Sequence, residues 1–170
     1  IEDRRFFEHN GIDIEGTARA AVANIRAGEI VEGGSTITQQ LVKKLYVGDE
    51  QTIGRKIREA YLAWKLEQRL SKDRILTRYL NTVYFGNGAY GIKAASEAYF
   101  GKQPLEVTLP EAALLAGLIA APVDYDPVRH PGRSERRRNH VLSLMLGLGM
   151  IDQAEFDEAT ALPIVRRLAP

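Results

Sequence analysis

The chain contains no cysteine, a single tryptophan and two methionines among its 170 residues. The missing cysteine excludes disulfides, thiolate metal sites and a cysteine nucleophile. Long apolar runs are also missing. The longest, Leu114 to Ala121 (LLAGLIAA), falls well short of the roughly 18 residues of a spanning helix and reads as a buried helix core. Charge of one sign is lacking too: 23 basic against 22 acidic residues leave a net +1, so bulk charge names no partner and only local clusters can. There is no initiator methionine and no signal peptide. The chain opens on Ile1-Glu2-Asp3, which is expected of an excised domain whose anchor or targeting segment lies outside it. No strand-like alternation lasts long enough for a sheet, and there is no internal repeat or low-complexity tract.

What is present is ordinary globular composition, 45% hydrophobic and 26% charged, in a length that suits one domain with a substantial core. Its periodicity is helical almost throughout, so the expected fold class is all-α. Ala18, Ala21, Val22 and Ile25 share one face of a helix stopping near Gly28. Gly33-Gly34-Ser35-Thr36 breaks the chain and can cap a helix carrying Ile37, Leu41, Val42 and Leu45. A long helix is expected from about Thr52 to Leu70. Its apolar positions Ile53, Ile57, Tyr61, Trp64, Leu62, Leu66 and Leu70 are broad enough to predict burial on two sides. Ser71 can cap the next helix, through Leu80. Residues 81–91 (NTVYFGNGAYG) read as a loop or short ribbon, followed by a helix ending at Gly101. Thr108 and Glu111 form a capping box, as do Asp152 and Glu155. Between them, residues 123–133 look irregular and a helix is expected from Ser134 to about Leu148.

Four runs could carry chemistry. The opening, Glu2-Asp3-Arg4-Arg5-Phe6-Phe7-Glu8-His9-Asn10-Gly11, looks like a helix end that packs Phe6 or Phe7 inward and turns at Gly11. Read alone, Glu2 and Asp3 are solvated or paired with Arg4 or Arg5, and His9 is a structural hydrogen-bonder near a turn. The second run, from Glu32 to Lys44, turns through two glycines into a helix N-terminus, where free backbone N–H groups favour an anion. It fits a well-capped amphipathic helix equally well. Its glycine spacing is not that of a nucleotide-binding loop. In the third, Arg55-Lys56-Ile57-Arg58-Glu59, the bland reading is a surface ion pair worth about 0.3–0.5 kcal/mol. Against it, Leu62, Ala63, Leu66 and Leu70 continue the face of Glu59, which puts that carboxylate at the rim of a buried surface. The fourth is the arginine run 136–138. Successive helical residues point in different directions, so at least one arginine can turn inward. A nucleic-acid patch is disfavoured, because no excess charge or interleaved aromatics support it. The three histidines lack metal-ligand spacing, and no metal-binding residues are assigned.

Taken together and in order, EDRRFFEHNG (2–11), GGSTITQQ (33–40), RKIRE (55–59), KDRILTRYLNTVYFGNGAYG (72–91) and RRNHVL (137–142) resemble the motifs of the peptidoglycan glycosyltransferases. These are the polymerase domains of class A penicillin-binding proteins and the monofunctional transglycosylases. The resemblance covers nearly the whole chain. It implies a lysozyme-like two-lobed helical domain, with a head and an apolar, membrane-facing jaw to which Leu41, Val42, Leu45, Tyr46 and Val47 would contribute. It also implies that lipid II is polymerised into glycan strands with inversion at C1, undecaprenyl pyrophosphate being the leaving group. By position in the motifs, Glu2 corresponds to the catalytic base and Glu59 to a second essential glutamate. Asp3, Ser35, Thr36, Gln39, Gln40, Lys43, Arg55 and Lys56 fall on substrate-binding positions.

A divalent cation, magnesium or manganese, is the one cofactor the resemblance admits, at the pyrophosphate. Residues 1–170 are expected to be a single such domain truncated at its N-terminus, with about 150–170 running out toward a linker and a transpeptidase domain in the same full-length chain. The implied partners are lipid II, the growing glycan strand and the membrane surface, at the periplasmic face of the inner membrane, with no nucleic acid. Gln51 stands where many members carry an arginine. Two other readings compete: a lysozyme-like enzyme that cleaves glycan, and a non-enzymatic helical interaction module built on the arginine run.

Overall fold

In the computed structural model, residues 1–28, 33–47, 52–165 and 167–169 are described. The chain divides into two compact units, Glu2–Leu80 and Asn81–Pro170. Among the described residues the regular structure is helical apart from one antiparallel bridge between Tyr84 and Tyr90. The all-α expectation holds.

Among its described residues the first unit contains four α-helices. Helix α1 (Ile14–Ala27) begins where the Asp13 carboxylate accepts from the Gly16 N–H, and ends on Gly28 in the left-handed region. Both are ordinary solutions for the unpaired groups of helix ends. Helix α2 (Ile37–Val42) opens on a capping box between Thr36 and Gln39 and continues into a π-helical segment, Lys43–Val47. Helix α3 (Ile53–Glu67) is capped by Thr52. Helix α4 (Lys72–Leu80) follows, with the Ser71 hydroxyl accepting from the Arg74 N–H at 3.4 Å. Helix α2 packs against both α3 and α4. Leu41, Val42, Ala63, Ile75 and Tyr79 are almost fully buried here, with Phe6 and Ala20 beside them in the buried set.

Three expectations about this unit need correction. Leu41 and Val42 are core residues, 0% and 1% exposed, and so cannot supply a lipid-facing surface. Leu45 and Tyr46 are exposed, and the Val47 side chain lies outside what is described. Helix α3 is buried along one side only. Glu59 and Ala63 turn inward, whereas Ile57, Tyr61 and Trp64 remain 66%, 54% and 47% exposed; a stripe at i, i+4 and i+7 is buried only where a partner face meets it. The apolar face expected on α1 is likewise open: Ile25 is 80% exposed, and the helix buries Gly16 and Ala20 instead.

The second unit starts with the glycine-rich ribbon. The Phe85 N–H donates to the Ala89 carbonyl and the Gly91 N–H to that of Val83, both at 2.9 Å. Gly91 sits at φ +83°, and a Cβ there would lie 2.6 Å from the Asn81 carbonyl oxygen. Helix α5 (Ile92–Phe100) ends on left-handed Gly101. After a 3-10 turn at Pro104–Glu106 come α6 (Leu109–Leu118), α7 (Pro131–Gly147) and α8 (Gln153–Ala161). Their shared core is Ala113, Val141, Leu142, Ile151 and Ala159. Helix α7 begins three residues earlier than expected because Pro131 occupies its first turn, where a missing N–H costs nothing. Within the arginine run it is Arg138 that turns inward. It is 2% exposed and donates to the carbonyls of Leu162 at 2.7 Å and Thr160 at 3.2 Å.

Candidate active site

Residues 2–11 are turns rather than a helix end. Phe6 is buried and Phe7 is 67% exposed. Gly11 closes the run at φ +85°, so near the backbone of Ala63 that a Cβ would stand 2.8 Å from its carbonyl. Asp3 does not pair with Arg4 or Arg5. Its two oxygens lie 3.1 and 3.0 Å from His9 Nε2, and its Oδ2 also accepts from the Ile37 N–H at 3.1 Å. His9 is therefore the structural hydrogen-bonder expected. Arg5 turns to Asp13, at 3.4 Å, and to Glu15. The Asp3 side chain is 2% exposed. In this arrangement it fixes the turn that presents Glu2.

Glu2 is half-buried. Its Oε2 accepts from Gln40 Nε2 at 3.2 Å, and Gln40 Oε1 in turn accepts from the Tyr79 hydroxyl at 2.9 Å. Tyr79 is 1% exposed. Burial, reinforced by the negative charges of Glu2 and Asp3, pushes its phenol well above the ordinary tyrosine range.

The second run meets the first in two ways. The Thr36 hydroxyl donates to the Gly11 carbonyl at 2.7 Å and accepts from the Gln39 N–H at 3.1 Å, and Gln39 Oε1 accepts from the Thr36 N–H at 2.9 Å. The N–H groups of Thr36, Ile37 and Gln39 are thus taken by the protein's own acceptors, with Asp3 holding that of Ile37. Thr36 and Gln39 are buried and serve as the joint between the two runs. Ser35, by contrast, is half-buried and accepts from Lys56 Nζ at 2.7 Å. Lys43 opens the π-helical segment and is exposed. Glu32 and Gln51 lie outside the described residues.

Glu59 is deeper than a rim: it is 2% exposed. Lys56 Nζ stands 3.2 Å from its Oε2, and Arg55 Nε 3.5 Å from its Oε1. This is a buried carboxylate with two cations one helical turn away, not a surface pair. A carboxylate so far from water is tolerable only because it is paired.

Sequence reasoning missed Tyr79 and the trio Thr38, Glu67 and Lys72. Thr38 donates to Glu67 Oε1, Lys72 Nζ lies 2.7 Å from Glu67 Oε2, and the same ammonium sits 4.5 Å over the Phe6 ring. Tyr79 follows Ile75 by four residues and so reads as one more core position; its hydroxyl is invisible to periodicity. The trio joins three different helices, α2, α3 and α4, which spacing along the chain does not reveal.

Among the described residues no three or more His, Cys, Asp or Glu side chains group in a way that could hold a metal ion. Comparison with known proteins then places the chain. Residues 1–146 match the transglycosylase family. The chain belongs to that family. It is 52% identical over 163 residues to penicillin-binding protein 1A of Aquifex aeolicus, covering 96% of this chain and 22% of the relative. It is 47% identical to penicillin-binding protein 1A of Neisseria flavescens, covering 93% and 20%. The chain thus spans about a fifth of the length of these relatives. The crystal structure of penicillin-binding protein 1A from Haemophilus influenzae resembles it with a TM-score of 0.51 and 34% identity, over 79% of this chain and 17% of the other. The expectation of a transglycosylase-type enzyme domain with an all-α fold stands on these matches.

Proposed function

We propose that this domain polymerises lipid II into glycan strands, with Glu2 as general base. One observation carries the reading: the second run touches both acidic centres, Gln40 reaching Glu2 and Ser35 accepting from the Lys56 that faces Glu59. The reaction asks for such a division. The acceptor 4-hydroxyl loses its proton as it attacks C1 of the donor sugar from the face opposite the leaving group, which inverts that carbon. A half-buried carboxylate whose one oxygen is anchored can receive that proton on the other. The leaving pyrophosphate is a weak base and needs positive charge rather than a general acid. Arg55 and Lys56, held by Glu59, can supply it, with Lys43 exposed on the second run. A glycosidase, by contrast, must protonate an alkoxide and uses two carboxyl groups across one bond.

In this reading Ser35, Gln40, Lys43, Arg55 and Lys56 contact substrate, and Glu59 orders the cations. Asp3, Thr36 and Gln39 hold the loops in place. A divalent cation would be bound mainly by the pyrophosphate, since the described residues offer no ligand cluster of their own. The substrate's lipid tail places the domain at a membrane, at the periplasmic face. The exposed Leu45 and Tyr46 support contact there. Among the described residues no helix is long and apolar enough to cross a membrane. The far greater length of the relatives agrees with a transpeptidase domain in the same full-length chain.

Incubation with lipid II in detergent tests the proposal. Growth of glycan strands is expected. Cleavage of finished glycan with no growth would favour the lytic reading instead.

A further inference from the structure

The chain of hydrogen bonds behind Glu2 contains a residue that neither the motifs' site positions nor the family match assigns. We propose that Tyr79 is a positioning residue for the catalytic base, acting through the Gln40 amide. The inference rests on the glycosyltransferase reading for its kinetic consequence, and on the geometry alone for its structural one.

A glutamine side chain can present either its oxygen or its NH2 to a neighbour, and the two ends are nearly the same size. An ionised carboxylate only accepts, so facing it the NH2 is favoured and the oxygen is repelled. Once Glu2 has taken the acceptor's proton, that preference fades, because a protonated carboxyl can donate to a carbonyl oxygen. Tyr79 biases the choice. Its hydroxyl, at 2.9 Å, donates to Gln40 Oε1; a flipped amide would have to donate to the phenol oxygen instead and leave this buried O–H without that acceptor, so Nε2 stays favoured toward Glu2 Oε2, 3.2 Å away, in either charge state of Glu2. Oε2 is thereby tied down through the cycle, and Oε1 is the oxygen left to meet the incoming hydroxyl.

The arrangement is rigid at its far end. Tyr79 sits on α4 at 1% exposure, one turn after fully buried Ile75, so its ring cannot swing away without opening the core. Its phenol also stays protonated: burial first, then Glu2 and Asp3, raise its pKa beyond the working range. It therefore remains a donor wherever the enzyme operates. A buried tyrosine serving only as core would need any acceptor; this one is given the side chain that touches the base.

The test combines kinetics with a readout that needs no substrate. In the intact protein carrying this domain, Tyr79→Phe keeps the ring and removes the donor. The expected result is a fall in kcat for lipid II polymerisation of roughly five- to ten-fold, the scale of one hydrogen bond, with KM within about two-fold. In a Gln40→Met background the same substitution should cost nothing further. With 15N-glutamine labelling, the Gln40 side-chain amide (assigned by its loss in Gln40→Met) should keep one set of signals on Glu2→Gln in the parent, and should shift further or broaden when Tyr79→Phe is added to Glu2→Gln. Equal losses in both backgrounds, or a Gln40 amide that responds to Glu2→Gln identically with and without the Tyr79 hydroxyl, would overturn the proposal. If Tyr79→Phe fails to fold, fluorotyrosine incorporated at position 79, which changes only the strength of the donor, decides: a kcat altered at constant KM supports positioning, and an unaltered kcat contradicts it. A parent that grows no glycan would contradict the polymerase reading, and the amide signals would then decide the role of Tyr79 by themselves.

Discussion

At the scale of single residues, the site is a set of carboxylates whose neighbours give them different work. Asp3 is enclosed, with His9 and the Ile37 N–H on its oxygens, whereas adjacent Glu2 keeps an oxygen available. Asp3→Ala leaves the buried His9 ring and a helix N–H without partners. It should lower stability by about 2–3 kcal/mol, measured by chemical denaturation, and reduce activity as a consequence. A variant as stable as the parent would mean that the contact is idle. Glu59 poses the opposite case. Glu59→Gln removes the negative charge between Arg55 and Lys56, so the cations lose their orientation at the proposed pyrophosphate site. Turnover should drop at least about 100-fold, in line with loss of a charge-stabilising group, and a drop of under three-fold would contradict that role. The sequence showed these carboxylates but not their environments. Glu59 looked like half of a surface pair until the face shared with Ala63 was followed. Asp3 and Glu2 were told apart only by their place in the motif, not by their surroundings, because their partners come from residues 9, 37 and 40.

At the scale of elements, the fold depends on caps and close approaches more than on periodicity. Thr36 is both the cap of α2 and the link to the Gly11 carbonyl, so one hydroxyl sets the register between the first two runs. Gly11→Ala should be costly, because it forces both a left-handed φ and a Cβ 2.8 Å from the backbone of Ala63. A loss of at least about 1–3 kcal/mol is expected, and an unchanged denaturation midpoint would contradict it.

The cap of α6 supplies a pH dependence. Burial alone would raise the Glu111 pKa, but hydrogen bonds from Lys102 and from the Thr108 backbone and hydroxyl outweigh it, and the net shift is downward. The stability this carboxylate lends is therefore complete above the ordinary glutamate pKa, about 4.3, and is lost as pH falls through the lower folded value. Glu111→Gln should flatten the acid-side decline of the melting temperature; an identical decline in both proteins would count against the cap. Capping residues were legible beforehand, since Thr108–Glu111 and Asp152–Glu155 announce themselves by spacing. The apolar stripes on α1 and α3 misled for a physical reason: a hydrophobic face predicts burial only when the fold supplies a partner, and periodicity records the face alone.

At the scale of the whole molecule, each compact unit has its own means of support. The first is organised around the motifs of runs one to three. The second uses Arg138 in α7 to hold the carbonyls of residues 160 and 162, with its charge disfavoured by burial. Arg138→Met should destabilise the second unit by about 3 kcal/mol, since two inward carbonyls lose their donor, and denaturation monitored in the far ultraviolet would register it. The arginine run is thus in part an internal brace. The all-α class followed from the missing strand alternation, and family membership from five motifs in order. What stayed hidden was how the chain brings the motifs together, because that depends on contacts between residues far apart in sequence, 39 positions for Tyr79 and Gln40 and 66 for Lys72 and Phe6.

The central claim is that Glu2 takes the proton of the attacking hydroxyl. Glu2→Gln keeps the side chain's size and a partner for Gln40 while abolishing the base. Measured with lipid II in the intact protein, substrate binding should stay within a few-fold of the parent while turnover falls by about 100-fold or more. Turnover retained within a few-fold at unchanged binding would contradict the account.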